Sequence, residues 1–311
     1  MKTVVITGVA GFLGGHVARH FAQNGWSVVG VDVVAPENAR IGTQCRYVQL
    51  SLPSPELSEL LKEIQPHTCV HCAGRASVAL SIEDPAADFR GNTVLTFELL
   101  DALRRSAPRC RFLLLSSAAV YGNPQRLPVG EDQPVAPLSP YGFHKRQAEL
   151  LVQEFAKVYG QPGLSVRIFS AYGPGLRRQV IWDICERILS TGALTLGGTG
   201  EETRDFVHAA DVAAALALLA DRAPAEGEIY NLATGRETSI AELAEVLATA
   251  LKREVRAIFD GRSRPGDPRN WRADISKLRV LGFQPALSLE DGLAQIAQWA
   301  SAELAGIPQK S

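Results

Sequence analysis

The sequence has no apolar run long enough for a membrane helix, no internal repeat, no low-complexity segment and no run of lysines or arginines. The first absence excludes a helical membrane span, which needs about 20 consecutive apolar residues. The last, with a formal net charge of −1, argues against a nucleic acid held through its phosphates and leaves a small anionic substrate open. Cysteine is sparse and odd in number, five in 311 residues and scattered, which suits a reducing compartment better than a disulfide framework. Cys69-Val70-His71-Cys72 does form a C-x-x-C, but it lies in an apolar run that reads as strand, where its two ends point to opposite faces. No second Cys/His pair at zinc spacing follows, so the cysteines read as core packing and no metal site is expected. The start, Met1-Lys2-Thr3-Val4-Val5-Ile6, runs into glycines with no room for a signal peptide, so the mature chain is expected to begin here, in the cytoplasm.

What is present begins with a strand, a glycine loop and a helix. Val4-Val5-Ile6 is β-branched, Thr7 to Gly15 carries the glycines, and a helical pattern runs on through Phe21 to Gly25. A second strand, Ser27 to Val31, ends at Asp32. Glycines let backbone approach a pyrophosphate, a helix N-terminus offers unpaired N–H groups, and a carboxylate at the end of the second strand can bind ribose hydroxyls. Gly8, Gly11, Phe12, Leu13, Gly14 and Asp32 are therefore candidate dinucleotide ligands. Asp32 would repel a ribose 2′-phosphate, and Val33-Val34 offers no arginine to accept one, so NAD is favoured over NADP.

The alternation continues with strand Arg46–Leu50, helix Pro55–Ile64, strand Thr68–Cys72, helix Asp88–Arg105 and strand Arg111–Leu115. It predicts an α/β fold with a Rossmann-type, doubly wound parallel sheet. Ala73-Gly74 closes the fourth strand with small residues over which a cofactor can pass. Phe97, Leu99, Leu100 and Leu103, with Phe155 and Val158 of the next helix, offer either a dimer face or burial inside one chain. The fifth strand ends in Ser116-Ser117-Ala118-Ala119, placing two hydroxyls at the ligand edge of the sheet, where a capping or turning role is the bland alternative. A proline-rich loop then delivers Tyr141-Gly142-Phe143-His144-Lys145. Ser139 suits an N-cap and Pro140 a first helical position, so Tyr141 and Lys145 share one helical face. A phenol acting as base at neutral pH requires a depression of about 3 pH units, roughly 4 kcal/mol, of which a neighbouring ammonium supplies part. By itself Tyr-x-x-x-Lys reads more readily as a surface pair.

After a sixth strand at Ser165–Phe169 the pattern loosens into shorter strands and helices, including Gln179–Leu189, Leu194–Leu196, Asp211–Leu219, Ser239–Leu251 and Ser288–Glu303. Residues 1–170 are expected to form the dinucleotide-binding domain, and 171–311 mainly a smaller substrate lobe interleaved with returns to the sheet. Two arginine-bearing stretches, Glu202 to Phe206 and Arg262 to Asp267, suit a diphosphate, because arginine holds its charge and presents a rigid donor fork. Surface ion pairs with Asp205, Glu202 or Asp267 are the equal alternative.

Taken in order, the Thr7–Gly14 loop, Asp32, His71-Cys72-Ala73-Gly74, Asn92, Ser116-Ser117, Tyr141 with Lys145, Tyr172-Gly173-Pro174, Thr203 to Phe206 and Arg264-Pro265-Gly266-Asp267 resemble the extended short-chain dehydrogenase/reductase superfamily, in its NAD-dependent sugar-nucleotide epimerase/dehydratase branch. The resemblance spans nearly the whole chain. It implies that Tyr141 is the general acid/base at a sugar hydroxyl and that Lys145 binds the nicotinamide ribose and, with the nicotinamide ring, lowers the phenol pKa. It implies that Ser117 bonds the reacting oxygen or relays its proton, that Arg204 and Arg264 hold the diphosphate, that Asp267 holds a nucleotide ribose, and that Asn92 is a cofactor-side or structural residue. Members that dehydrate or decarboxylate typically carry a carboxylate after the Ser117 position, where this chain has Ala118-Ala119. That difference favours a UDP-glucose 4-epimerase-like activity, with oxidation at C4 and return of hydride to the other face, over a dehydratase, a reductase or a silent dinucleotide sensor. A UDP-sugar is the favoured substrate, NAD the cofactor and a homodimer the expected assembly. Ser170 replaces the family's usual asparagine, Ser51 an aspartate near adenine, and His144 a small residue, either at the surface or as a pH-sensitive neighbour of Lys145. Trp271, four after Asp267, matches a bulky site that excludes N-acetylated sugars, so a plain hexose is expected.

Overall fold

The computed structural model describes residues 1–39, 45–262 and 269–306. The first half alternates as the pattern predicts: β1 (Thr3–Thr7), α1 (Phe12–Gln23), β2 (Ser27–Asp32), β3 (Cys45–Gln49), α2 (Pro55–Ile64) and β4 (Thr68–His71) follow one another. The helix expected from Asp88 to Arg105 is present as the contiguous α4 (Pro85–Phe89), a π-helical turn over Arg90–Val94 and α5 (Leu95–Ser106), and a short α3 (Val78–Glu83) that the sequence reading did not anticipate precedes it. The separation of α3 from α4 has a local cause. Pro85 cannot continue α3 and instead begins α4, while the Asp84 side chain caps the new start by accepting from the Ala87 N–H at 2.9 Å. β5 (Arg111–Ser117) and β6 (Gly163–Ile168) flank α6 (Pro140–Tyr159). As the sequence suggested, Ser139 caps α6 by accepting from Gly142 N–H at 3.2 Å, Pro140 opens it, and Gly160 ends it at φ 68°.

The second half contributes β7 (Ser170–Tyr172), α7 (Gln179–Thr191), β8 (Leu194–Leu196), β9 (Thr203–Arg204), β10 (Phe206–His208), α8 (Ala209–Arg222) and β11 (Glu226–Leu232). β12 (Thr238–Ser239), α9 (Ile240–Ala250), β13 (Ala257–Phe259), α10 (Ser276–Val280) and α11 (Leu289–Ala305) complete it. The main sheet has seven parallel strands in the order β11-β6-β5-β4-β1-β2-β3. β11, from the second half of the chain, forms one edge of this sheet beside β6. The chain winds outward from β1 in both directions, so a crevice opens at the carboxyl ends of β1 and β4. Pairing of Thr7 with both Val31 and His71 brings Gly8, Asp32 and Cys72-Ala73-Gly74 to that one edge.

Successive strand residues serve opposite faces. Val4, Ile6 and Val70 pack with Val17 and Phe21 of α1 and Leu216 and Leu219 of α8. Val5, Val29 and Cys69 pack with Leu61 of α2, Leu100 of α5 and Val152 of α6. A separate apolar cluster joins α7, α9 and α11 through Ile184, Leu247 and Ile296. None of the helices among the described residues is long and apolar enough to cross a membrane.

Candidate active site

The glycine loop is shaped by contact as much as by turn geometry. Gly8 sits at φ 69°, and a Cβ there would stand 2.5 Å from the Ala73 backbone nitrogen, so the end of β1 lies directly against the end of β4. A Cβ on Gly14 would drive into the Gly8 carbonyl, which keeps α1 tight on the loop. Gly11 is the N-cap of α1 and makes no side-chain cap, so the first N–H groups of α1, on Phe12 and Leu13, face the crevice end with no side chain bonded across them. The Asp32 carboxylate is drawn onto this loop: Oδ2 accepts from Ala10 N–H at 2.9 Å, and Oδ1 from Val33 and Val34 N–H at 2.8 and 3.2 Å. Oδ2 keeps acceptor capacity for a hydroxyl.

Beneath the crevice Thr7 Oγ1 is 2.7 Å from His71 Nδ1, and burial pushes the His71 imidazole down to about 3, so it is neutral. Cys69 and Cys72 read as packing, and both thiols are pushed up by burial, Cys72 to about 12. All five cysteines are free thiols.

Tyr141, Lys145 and Ser117 converge where α6 passes the end of β5. Lys145 Nζ donates to the Leu115 carbonyl at 2.9 Å and lies 5.9 Å from the Tyr141 ring centroid. Burial lowers the Lys145 ammonium to about 8, against the pull of Asp88, Cys72 and Glu149. Ser117 accepts from Ala119 N–H at 3.1 Å and lies beside the Tyr141 phenol. The expected downward shift of that phenol is not present in the protein alone. Burial raises it, the Ser117 hydroxyl and the Arg178 guanidinium pull it back, and the Asp88 carboxylate adds to the rise. Desolvation of a phenolate in this buried position outweighs the nearby cations.

Asn92 and Gly74 join this group. Gly74, at φ 146°, could carry no Cβ without standing 2.8 Å from Asn92 Oδ1, and Lys145 Nζ is 3.7 Å from the same point. Asn92 donates to the Arg75 carbonyl at 3.0 Å, while its Oδ1 is buried with no partner in the protein. The π-helical turn that carries Asn92 is the kind of helix irregularity often found at functional sites. A buried acceptor without a donor, a lysine with N–H groups beyond the one given to Leu115, a glycine cradle and an accepting carboxylate together fit a nicotinamide dinucleotide.

The remaining candidates divide. Trp271 is buried among Phe169, Tyr121 and Val120, donates its indole N–H to the Gly122 carbonyl at 3.2 Å, and carries the Arg204 guanidinium 5.4 Å above its ring. It thus abuts the segment that follows Ser117. Arg204 also donates to the Thr203 and Arg269 carbonyls, whereas Glu202 turns onto Thr199 and Gly200 N–H and Asp205 onto Thr234, Gly235 and Ala273 N–H. Ser170 is half-buried on β7, its N–H bonded to the Asp205 carbonyl at 3.0 Å. Arg264 and Asp267 lie outside the described residues.

Three contacts escaped the sequence reading. His144, read there as either a surface residue or a pH-sensitive neighbour of Lys145, is largely buried, with its Nδ1 2.6 Å from Oδ2 of the fully buried Asp88. Arg178, at the start of α7, bonds the Ala76 carbonyl and reaches Tyr141 with its charge. Glu149, one turn beyond Lys145, is held by Arg167 through two bonds of 2.8 Å, by Arg146 at 3.0 Å and by Ser116 at 2.7 Å. The sequence marks His144 only by its place beside Lys145, and Glu149 only as a charge inside an otherwise apolar periodic run.

Comparison with known proteins finds relatives along nearly the whole chain. The chain is 31% identical to UDP-glucose 4-epimerase of Mycolicibacterium smegmatis, over 96% of its own length and 98% of that protein. It is 30% identical to dTDP-glucose 4,6-dehydratase of Xanthomonas campestris pv. campestris, over 96% of this chain and 93% of the other. Its fold superposes on UDP-glucuronic acid 4-epimerase of Bacillus cereus, solved with UDP-glucuronic acid and NAD, at a TM-score of 0.88 with 27% identity, covering 97% of this chain and 100% of that one. The sequence pattern of the NAD dependent epimerase/dehydratase family matches residues 4–233, and the chain belongs to that family.

Proposed function

We propose that this protein is a sugar-nucleotide 4-epimerase, using Tyr141, Lys145 and Ser117 as its catalytic residues. The observation that carries the reading is the buried meeting of that phenol, ammonium and hydroxyl beside Asn92 and Gly74, with Ala118 and Ala119 where an eliminating enzyme needs another carboxylate. NAD, when bound, supplies reversible acceptance of hydride at a positively charged ring. The chain's own residues do the rest. Gly8, Gly11, Phe12, Leu13 and Gly14 receive the pyrophosphate, Asp32 the adenosine ribose, and Ala73, Gly74, Asn92 and Lys145 the nicotinamide end. Tyr141 exchanges a proton with the C4 oxygen, and Ser117 holds that oxygen. The raised phenol fits the return half of the cycle, in which Tyr141 must be a proton donor.

Arg204 and Ser170 are assigned to the substrate side, with Arg264 and Asp267 as its diphosphate and ribose ligands. A UDP-hexose is the substrate we favour, because relatives that act on UDP-sugars are prominent and Trp271 packs against the Ala118–Tyr121 segment that follows Ser117. The residues from 171 on, apart from their returns to the sheet, mainly form the lobe that receives it. The thiol state of all five cysteines supports a cytoplasmic setting. Exposed Phe97 on α5 and Phe143, Leu150 and Val158 on α6 support a homodimer through those two helices.

The test is to release and identify the bound cofactor, then incubate the protein with UDP-, dTDP- and GDP-sugars and resolve products by mass and stereochemistry. A product of unchanged mass, inverted at C4, is expected from a UDP-hexose, with turnover lowered about 100- to 10,000-fold in Tyr141→Phe. Loss of water would sink the epimerase reading in favour of a dehydratase, which the Xanthomonas relative keeps in view. Trp271→Ser is expected to raise activity on N-acetylhexosamine relative to hexose, and an unchanged ratio would remove Trp271 from specificity.

A further inference from the structure

Asp88 lies on α4 with its side chain fully buried. Its Oδ2 is 2.6 Å from His144 Nδ1, and its Oδ1 is buried with no hydrogen-bond partner. His144 stands on α6 between Tyr141 and Lys145, 13% exposed at its side chain, with its ring edge-on to Phe89 at 5.3 Å and its carbonyl accepting from Thr93 Oγ1 at 3.2 Å. A buried, half-satisfied carboxylate is costly unless other charges compensate it.

The groups around it show what those charges are. Lys145 faces Asp88 from α4, His71 and Cys72 from the end of β4, and Glu149 from its own helix. Tyr141 faces Ser117 from β5, Arg178 from the start of α7, and Asp88. His71 is neutral and Cys72 stays a thiol, while Glu149 is already paired with Arg167 and Arg146. Exposed Glu83, Asp84 and Arg90 on the neighbouring turns are screened by solvent. Asp88 is thus the carboxylate beside the buried ammonium whose own partner is a histidine and not an arginine.

We propose that Asp88 and His144 form a positioning pair that sets the charge balance of Lys145 and Tyr141, Asp88 as counter-charge and His144 as the group that holds it in place. Its catalytic consequence rests on the acid/base reading of Tyr141 and Lys145, but the electrostatic claim can be tested without turnover. With the carboxylate present, the Lys145 ammonium is favoured and the Tyr141 phenolate disfavoured, so the proton stays on both. Losing the negative charge shifts both titrations toward acid.

The experiment is NMR titration of the Lys145 side chain in lysine-labelled protein without substrate, with Lys145→Met assigning the signal. Asp88→Asn keeps an oxygen that accepts from His144, and its Lys145 midpoint is expected to fall by at least about half a pH unit. His144→Ala removes the group that holds the carboxylate toward Lys145, so the midpoint is expected to fall likewise. His144→Asn puts an amide N–H near the former Nδ1 and is expected to keep the wild-type midpoint. Asp88→Asn/His144→Ala together should shift no further than Asp88→Asn alone. An unchanged midpoint in Asp88→Asn, even with a lowered Tm, overturns the proposal and leaves a packing pair. A His144→Asn shift as large as that of His144→Ala overturns the holding role. If turnover survives Tyr141→Phe, the acid/base reading fails instead, and the titration still decides the pair.

Discussion

Replacing Lys145 with methionine should cost activity and raise stability, and the size of the gain follows from the site. Burial lowers the ammonium from an ordinary 10.5 to about 8. At pH 7 the folded state therefore holds a charge that the unfolded chain would carry more cheaply by about 3 kcal/mol, at 1.36 kcal/mol per pH unit. Because the folded pKa lies below the unfolded one, the unfolded chain binds more protons between them. The destabilisation is thus full below about pH 8 and relieved as pH rises toward 10.5. Lys145→Met keeps the apolar stem and gives up the bond to the Leu115 carbonyl, worth about 1 kcal/mol. A net gain of about 2 kcal/mol is expected at pH 7. Urea denaturation of both proteins at pH 6.5, 8 and 9.5 checks it, since wild-type stability should climb toward that of the variant as pH rises. A variant less stable than wild type at pH 6.5, or a gap that does not narrow, would refute the reasoning.

Two further substitutions probe the scaffold. Gly14→Ala puts a methyl into the Gly8 carbonyl, which is backbone and cannot swing away, so both cofactor retention and Tm should fall; an unperturbed dinucleotide affinity in equilibrium dialysis would count against the loop as its site. Arg167→Met strips the bidentate partner from fully buried Glu149 and should lower unfolding free energy by roughly 3 kcal/mol, while Arg167→Met/Glu149→Leu recovers most of it; equal losses in the single and double variants would show that the pair stores little.

What could be read from the sequence was what neighbours along the chain determine. Ser139-Pro140 announces the start of α6, and so the shared face of Tyr141 and Lys145, because capping is a matter of three residues. The glycine loop and Asp32 were legible for the same reason: a turn, a helix start and a strand end have compositional marks. Across longer spans the signal is lost. His144 and Asp88 are 56 positions apart, and no local pattern says that α4 will turn one carboxylate into α6. The direction of the Tyr141 shift was out of reach too, since spacing reveals the ammonium but burial is a property of the assembled core. Trp271 was found by its distance from Asp267, yet only packing shows its ring wedged beside Phe169 with Arg204 above it.

The strand order also bears on how the chain is made. β6 is buried along its whole length, between β5 on one side and β11 on the other. At roughly 5–20 residues per second, the ribosome takes several seconds after finishing β6 before β11 exists. During that interval the Gly163–Ile168 segment presents an unpaired strand edge, the kind that recruits strands from other nascent chains. A truncation that halts synthesis before Glu226 leaves that edge without β11 to cover it, and aggregation of such a chain is the expected outcome.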